Sequence, residues 1–405
     1  MNEQNISFYD DYGSFDECFF PIDDQIVYRF YLIVLVGSSF ACVGVLQNTL
    51  AFFALVRRRR YRKSHFLYLI FLAVFDISVP LCYGLLFGVN TCALYIGMYR
   101  NDPRQAHPLS VALLRAWWFY FSQIYGLSQV SLTATGFLIV VATFERFLIT
   151  SSSPYQAIVR RNRLWVALAA IGLAVGIKGS AFNEFRLSHH PNCSGFFEYD
   201  IAPTGMKDSR SYYIFSVYVR NVVCVLLPFL LLLTLNLLIV VTLRRQQRTA
   251  RVLFGSSDYR HRVRAARRTM LCVVLCYLIA NVLNVVVIIW EVVDYDSLFT
   301  SYLALYTYIT DAVSLLTVIM CTLRLPLYLL LNSQMRQALK DLFCWSEVES
   351  PSAGGQRRPV RTVVATLYAY NSLDFRQYEA SQLMQSNNNC VPFERTNKDD
   401  CDVLL

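Results

Sequence analysis

Apolar residues fall in seven long blocks along the chain, and short charged stretches separate the blocks. Crossing a bilayer core about 30 Å thick takes ~20 apolar helical residues, and each block has that length. Inside hydrocarbon every backbone N–H and C=O must be paired within its own segment, so blocks of this length are predicted to be helices. The predicted spans are residues 30–56, 66–89, 116–143, 164–182, 212–243, 270–290 and 302–331.

A large soluble helical bundle is the structural alternative. Soluble helices have an apolar stripe and a polar face, whereas residues 226–241 (LLPFLLLLTLNLLIVV) are apolar on all sides. Charged residues make up 16% of the chain, compared with roughly 25% in soluble domains. The sequence therefore predicts an all-α membrane protein, a seven-transmembrane helix bundle.

Two polar tails flank the predicted bundle. Residues 1–26 form an acidic arm with seven Asp and Glu and no Lys or Arg, and residues 27–333 form the transmembrane domain. Residues 334–344 are amphipathic, which suits a juxtamembrane helix on the inner leaflet, although they could equally be a polar cap on the last span. Residues 345–405 have no periodic apolar face and are predicted to be a disordered cytoplasmic tail.

The distribution of Lys and Arg predicts the orientation. The loops after the first, third and fifth spans hold 18 of these residues, whereas the loops after the second, fourth and sixth hold 6. Positive loops stay in the cytoplasm, so the N-terminus is predicted to be extracellular at the plasma membrane and the C-terminus cytoplasmic. The glycosylation sequons at Asn5 and Asn192 both fall on the predicted outer face.

Several polar residues lie at positions where the bilayer makes them costly. Asp76 is deep in the second span, Arg324 is deep in the seventh, and Asn48 is within the first. The triplet Glu145-Arg146-Phe147 closes the third span at its cytoplasmic end. An ionisable group inside a span costs several kcal/mol, so each of these residues is a candidate for function.

These residues carry a resemblance to rhodopsin-like (class A) G-protein-coupled receptors over residues 27–344. Glu145-Arg146-Phe147 stands in the place of the Asp-Arg-Tyr triplet of that family. The other matching positions are Asn48, Leu72, Asp76, Pro228 and Asn236. Within the class, the chain resembles the invertebrate FMRFamide-peptide and neuropeptide receptors. The segments that carry this finer likeness are residues 278–283 (LIANVL), Trp290-Glu291, residues 324–328 and residues 334–343.

The resemblance implies an activation switch. Glu145 would hold Arg146 in the inactive receptor, and on activation Arg146 would be free for a heterotrimeric G protein. The alternative is an arginine that only reaches for the inner headgroups. The full set of implied switch residues is Asn48, Asp76, Glu145, Arg146, Phe147, Pro228, Asn281, Arg324 and Tyr328.

The chain departs from the family at two informative positions. Phe121 replaces the cysteine at the outer end of the third span, and the resemblance then suggests a Cys92–Cys193 disulfide as a hypothesis. Arg324 replaces an asparagine of the family's sodium site, so we predict an ion pair with Asp76 and sodium-insensitive ligand binding. Arg324 could instead tip towards the cytoplasmic interface as a lone basic residue.

The outer ends of the sixth and seventh spans are acidic and aromatic, and no Lys or Arg occurs from residue 270 to residue 322. Glu184, Glu198 and Asp200 are expected to add to the negative field. Such a mouth would steer a cationic peptide and could bind an arginine through a carboxylate, which suits a peptide ending in Arg-Phe-amide. The acids could instead serve only to set the topology. The candidate contacts, with Glu291 first and Asp311 second, are Glu291, Asp311, Trp290, Asp294, Tyr302 and Tyr306.

Other function classes fit the sequence less well. A retinal protein needs a lysine in the seventh span, and residues 300–331 contain none. Deep charges are too few for a continuous transport route, and the five histidines lie in loops or at span ends, which disfavours an enzyme. A chemosensory receptor of the same architecture is the closest rival. The expected partners are a peptide, a G protein, arrestin at the tail and membrane lipids, with Cys344 lipidated and no nucleic acid, cofactor or metal.

Overall fold

The computed structural model describes most of the predicted bundle and neither tail. The described residues are 25–57, 66–100, 107–191, 193, 198–206, 209–253, 278, 281–291, 293–294, 302–331 and 333–343.

Nine helices are described. The helices are α1 (Ile26–Val56), α2 (residues 66–100), α3 (Pro108–Thr150), α4 (Gln156–Arg161), α5 (Arg163–Lys178), α6 (residues 210–253), α7 (Asn281–Glu291), α8 (Leu303–Leu331) and α9 (Ser333–Phe343). Among the described residues, α1, α2, α3, α5, α6 and α8 are long and apolar enough to cross a membrane, and α7 is a shorter apolar helix. These seven helices coincide with the seven predicted spans, which confirms the helix bundle.

Helix α3 is at the centre of the described bundle and packs against α2, α5 and α6. On the predicted inner side, Phe137 and Leu138 of α3 pack in one buried cluster with Tyr68 and Leu72 of α2. Helix α5 joins this cluster through small residues, namely Ala167, Ala170 and Ala174. Small residues let helix backbones approach closely, which is how helices associate in membranes without a hydrophobic driving force.

Wide π-helical turns interrupt three of the described spans, and the one in α1, Phe30–Gly37, contains no proline. In α6 two such turns, Phe215–Val219 and Val222–Leu226, come directly before Pro228. In α2 the turn Gly84–Gly88 follows Pro80. Proline lacks a backbone N–H and its ring clashes with the preceding turn, which accounts for the widening of α6 before Pro228.

A β-hairpin between α5 and α6 was not predicted from the sequence. Strands β1 (Phe185–His189) and β2 (Tyr199–Pro203) pair antiparallel, with Phe185 opposite Pro203 and His189 opposite Tyr199. Its base is tied to α3, where Ser122 Oγ donates to the Phe182 carbonyl at 2.7 Å. The hairpin thus extends an otherwise helical fold over the predicted outer end of α3.

The amphipathic stretch after the seventh span forms helix α9. Met335 and Ala338 are buried, and α9 packs against α1. Arg336 donates to the carbonyls of Leu329 and Leu330 at 3.3 and 3.2 Å. These carbonyls lie in the last turn of α8, where a cation and a hydrogen-bond donor are both favourable, so Arg336 fixes the turn between α8 and α9.

Gly126 of α3 packs against Phe182, which lies in the 3-10 turn Gly179–Asn183 that follows α5. A Cβ atom added at this position would lie 2.5 Å from two atoms of the Phe182 ring. We therefore expect Gly126→Ala to destabilise the protein by about 1–3 kcal/mol, the typical cost of overpacking, measured as a fall in the unfolding temperature of the purified chain. Gly172→Ala is the matched control, because nothing lies within 4 Å of a Cβ there, and alanine should be neutral or stabilising. Equal effects of the two substitutions would contradict the packing argument.

Candidate functional site

The predicted cytoplasmic end of α3 holds a buried carboxylate that is paired with an arginine of α5. Glu145 accepts hydrogen bonds from Arg163 Nε at 2.8 and 3.0 Å, and Arg163 Nη2 bonds to the same carboxylate. Two parallel N–H···O bonds between arginine and a carboxylate are among the stronger polar contacts in proteins. The bridge therefore joins the inner end of α3 to the first turn of α5.

This arrangement changes the expected role of Glu145. The sequence resemblance implies that Glu145 holds Arg146, but the carboxylate is bonded to Arg163 instead. The Arg146 guanidinium makes no hydrogen bond or ion pair with a described residue, and its charge acts on the nearby Tyr328 hydroxyl. Phe147, beside it, is half-buried. The expectation of a Glu145–Arg146 pair is therefore wrong for this structure, and Arg163 is a residue that the sequence reasoning missed.

The middle of the bundle contains the ion pair that the sequence predicts between Asp76 and Arg324. Arg324 Nη1 donates to Asp76 Oδ1, and Asp76 is only 1% exposed. Asn48 lies beside them and donates to the carbonyls of Gly44 and Cys321 at 2.9 and 3.1 Å, which ties α1 to α8. Thr135 Oγ1 is buried and has no hydrogen-bond partner among the described residues. Arg324 thus neutralises Asp76 directly.

At the predicted outer end, α7 and α8 bring part of the expected ligand-contact set together. Tyr306 donates to Glu291 Oε1 at 2.7 Å. The rings of Trp290 and Tyr302 contact one another, with centroids 5.8 Å apart, and Asp294 is exposed one turn further on. A half-buried carboxylate beside aromatic rings can bind a cation both by charge and by the ring faces.

Asp311 has a different role from the one expected of it. Its carboxylate is 4% exposed and accepts two hydrogen bonds from Arg29, at 2.8 Å from Nε and 3.2 Å from Nη2. A buried, bidentate partner leaves this carboxylate unavailable to an incoming arginine. We assign Asp311 to a tie between α1 and α8, and not to ligand contact.

Arginines neutralise three of the described acids that were expected to give the outer ends of the helices a negative field, namely Glu184, Glu198 and Asp311. Arg220 donates to Glu184, and Arg115 donates to Glu198. The Asp200 carboxylate accepts a hydrogen bond from the Ile201 N–H at 2.6 Å. Arg29 also neutralises Asp311. Of the predicted ligand contacts, Glu291 is therefore a carboxylate that has no arginine partner among the described residues and lies beside aromatic rings. The partners are separated by 36, 83 and 282 positions along the chain, so no local sequence signal could pair them.

The predicted Cys92–Cys193 disulfide is wrong. Cys92 is a free thiol in α2, and Cys193 is in a disulfide whose partner lies outside the described residues. The pairing was suggested because Phe121 replaces the family's cysteine, and this pattern contains no information on the distance between Cys92 and Cys193. Because Cys92 is free, Cys18 is the other cysteine that the predicted topology leaves on the outer face.

The remaining predicted positions divide between described and undescribed residues. Asn281 is half-buried in the first turn of α7, and Pro228 follows the π-helical turns of α6. Asn5, Asn192, Cys344 and residues 345–405 lie outside the described residues, so their predicted glycosylation, lipidation and arrestin recruitment stay predictions. In the described part of the chain, no group of three His, Cys, Asp or Glu side chains is arranged to bind a metal ion.

Comparison with known families gives one match. The model described as serpentine type 7TM GPCR chemoreceptor Srw matches residues 35–346, which is more than half of the chain and extends from within α1 to beyond the end of α9. No curated protein matches the chain.

Proposed function

The chain belongs to the Srw family of serpentine seven-transmembrane GPCR chemoreceptors, and from this premise we propose that it couples an extracellular ligand to a heterotrimeric G protein at the plasma membrane. The family is one of receptors and not of enzymes, and its members are multi-pass membrane proteins. The six long apolar helices and the shorter α7 agree with that class.

The orientation is part of the proposal. The excess of Lys and Arg in the loops after the first, third and fifth spans supports a cytoplasmic position for those loops and an extracellular N-terminus. In this orientation Arg146 faces the G protein, and the β-hairpin, Glu291 and Trp290 face the ligand.

The proposed coupling to a G protein rests on the surroundings of the Arg146 guanidinium. Its guanidinium is without a hydrogen-bonded partner among the described residues, while the neighbouring Glu145 is clamped by Arg163. Since a free guanidinium at the inner end of α3 can bind a carboxylate or a carbonyl of a docking helix, Arg146 is suited to contact the G protein directly.

For the ligand we propose a cationic peptide, of which a peptide ending in Arg-Phe-amide is one example. Glu291 is held by Tyr306, and the contacting rings of Trp290 and Tyr302 belong to the same pair of helix ends. An arginine of the peptide would pair with Glu291, and its aromatic neighbour would stack on the rings.

The second candidate is a chemosensory ligand that is not a peptide. The description of the family as chemoreceptors favours it, and so does the pairing of Asp311, Glu198 and Glu184 with arginines. The two candidates differ in whether Glu291 contributes to potency, because an uncharged odorant-like molecule has no cation for it to bind.

One experiment tests both ends of the receptor. Cells that express the chain are exposed to a panel of amidated peptides and to a panel of uncharged volatile and water-soluble molecules, and G-protein activation is measured. We expect Glu291→Gln to raise the half-maximal concentration of a basic peptide about tenfold or more, since a hydrogen bond to a charged group is worth about 1.5–3 kcal/mol. Glu198→Gln is the matched control, because Arg115 already neutralises that acid.

At the coupling end, we expect Arg146→Ala to abolish the response to any agonist while the receptor still reaches the cell surface. Arg160→Ala removes the same charge from an exposed position of α4 and should retain the response. Responses to uncharged molecules alone, with unchanged potency in Glu291→Gln, would select the chemosensory candidate. An undiminished response in Arg146→Ala would overturn the proposed coupling.

A further inference from the structure

Three ionisable side chains are buried together where the predicted outer ends of α5 and α6 meet α3. Lys178 and Arg220 are each 8% exposed, and Glu184 is 1% exposed. The charges of Arg220 and Glu184 both act on the Lys178 ammonium, so the three groups form one electrostatic cluster. Two cations and one anion give this cluster a net charge of one positive unit when all three groups are ionised.

Glu184 carries one negative charge and therefore cannot neutralise both cations. Its Oε1 accepts a hydrogen bond from Arg220 Nη1 and another from the Tyr212 hydroxyl at 2.8 Å. Lys178 Nζ donates to Gln129 Oε1 at 3.0 Å, and this neutral amide is its hydrogen-bond partner among the described residues. The ammonium therefore has one of its three donors paired and forms no ion pair with a described carboxylate.

Arg220 also has an unused donor. Its Nε–H is buried and has no hydrogen-bond partner among the described residues, although the side chain is 10% exposed. A buried donor without a partner costs free energy, and a buried charge without a counter-charge costs more. The cluster thus lacks one negative charge and at least two hydrogen-bond acceptors.

We infer that this cluster binds the carboxylate group of the ligand, with one carboxylate oxygen on Lys178 and the other on Arg220 Nε. A carboxylate supplies a single negative charge and two acceptor oxygens in one plane, which matches the deficit of the cluster in both charge and hydrogen bonds. A phosphate dianion would overcompensate the charge.

The position of the cluster suits an extracellular ligand. Lys178 ends α5, and Glu184 lies immediately before β1. Thr204, just after β2, donates through its backbone N–H to the Glu184 carbonyl at 3.0 Å and through its hydroxyl to the Asn183 carbonyl at 2.7 Å. These bonds hold both ends of the hairpin beside the cluster, so the hairpin is placed to contact what binds there.

The inference rests on the proposed function in one respect: that the bound carboxylate belongs to a ligand that activates the receptor. Combined with Glu291, it describes a ligand with separate cationic and anionic groups. A peptide that is amidated at its C-terminus would have to supply the anion from an acidic side chain, whereas a free C-terminus or a small organic acid supplies it directly.

The test measures the unfolding temperature of purified full-length receptor in lipid nanodiscs, with butyrate as the probe and butyramide as its uncharged isostere, at constant ionic strength set by sodium chloride. We expect a saturable rise of several degrees with butyrate and no rise with butyramide, since a ligand that binds the native state stabilises it by mass action. A rise of equal size with butyramide, or no rise with butyrate, overturns the inference. A separate chloride titration that raises the unfolding temperature and removes the butyrate effect shows a chloride site and also overturns it.

Lys178→Met is the decisive variant, because it removes the uncompensated charge and leaves the Glu184–Arg220 pair in place. We expect this variant to lose the butyrate effect and to unfold at a higher temperature than the ligand-free parent. A lysine with a purely structural role would give the reverse, a lower unfolding temperature with the butyrate effect retained. Arg115→Gln is the matched control, since Arg115 is an exposed outer cation paired with Glu198, and it should keep the full butyrate effect.

The measurement does not involve a G protein, so the two proposals can fail separately. Butyrate stabilisation that depends on Lys178, in a receptor that activates no G protein, would refute the proposed function and retain the carboxylate site. G-protein activation by a ligand without any carboxylate, at a potency unchanged in Lys178→Met, would refute the carboxylate site and retain the function.

Discussion

Substitution of Arg324 by methionine is expected to lower the free energy of unfolding by about 3–5 kcal/mol, because it leaves the Asp76 carboxylate buried without its partner. Asp76 is 1% exposed, and Arg324 Nη1 is bonded to it across the space between α2 and α8. The loss is measured as a fall in the unfolding temperature of the purified receptor and as reduced cell-surface expression.

A double-variant cycle separates the pair from general damage to the core. Asp76→Asn combined with Arg324→Met removes both charges at once, and we expect most of the lost stability to return, since a neutral buried pair costs little. If the double variant is no more stable than Arg324→Met alone, the ion pair does not account for the loss.

The same pair bears on cation binding. Arg324 supplies the positive charge next to Asp76, so the ligand affinity of the parent receptor is expected to be independent of sodium. In Arg324→Asn the Asp76 carboxylate loses its ion-pair partner and stays buried. We expect the ligand affinity of this variant to depend on the sodium concentration. If the ligand affinity of the parent receptor also depends on sodium, the Asp76–Arg324 pair opens during function.

Breaking the bridge between Glu145 and Arg163 is expected to raise ligand-independent signalling about tenfold. The bridge joins the inner ends of α3 and α5 through hydrogen bonds of 2.8 and 3.0 Å from Arg163 Nε. If the bridge exists in the inactive receptor and is lost on activation, its removal by Arg163→Gln shifts the population towards the active state. A shift of 1.4 kcal/mol changes that equilibrium tenfold.

Basal G-protein activation, normalised to receptor number at the cell surface, is the measurement. Arg161→Gln is the matched control, because Arg161 is a nearby exposed arginine at the end of α4, and its substitution should leave basal activity unchanged. The charge exchange Glu145→Arg with Arg163→Glu should restore low basal activity. Basal activity that is unchanged in Arg163→Gln would show that the bridge is present in both states.

The sequence predicted the bundle because hydrophobic length is a local property. A block of ~20 apolar residues specifies a membrane helix whatever its neighbours are. Some observed helices extend beyond the predicted spans, as α3 does from Pro108 to Thr150, whereas α5 ends at Lys178, before the predicted end of its span. The hairpin was missed because its strands are only five residues long and are flanked by polar loops. Such strands are stabilised by contact with α3 and not by their own composition.

Only some of the ion pairs could be predicted from the sequence. The Asp76–Arg324 pair could be predicted because both residues are isolated charges deep in spans, and each needs a partner there. Glu145 and Arg163 lie at a span boundary, where water and headgroups could have satisfied either residue, so the triplet pattern suggested Arg146 as the partner instead. Glu184 and Arg220 lie in separate elements 36 positions apart, and neither one signals the other.

The sequence alone determined that seven apolar helices cross a membrane and which of their positions carry costly polar groups, because the bilayer acts on each segment separately. Only the tertiary structure decided which charges neutralise one another. Arg29, Arg115, Arg163 and Arg220 each bond to a carboxylate, and this leaves Lys178, Arg146 and Glu291 without an arginine or carboxylate partner among the described residues. The physical reason is that an ion pair depends on distances of a few ångströms between side chains, which only the packing of the helices and the hairpin sets.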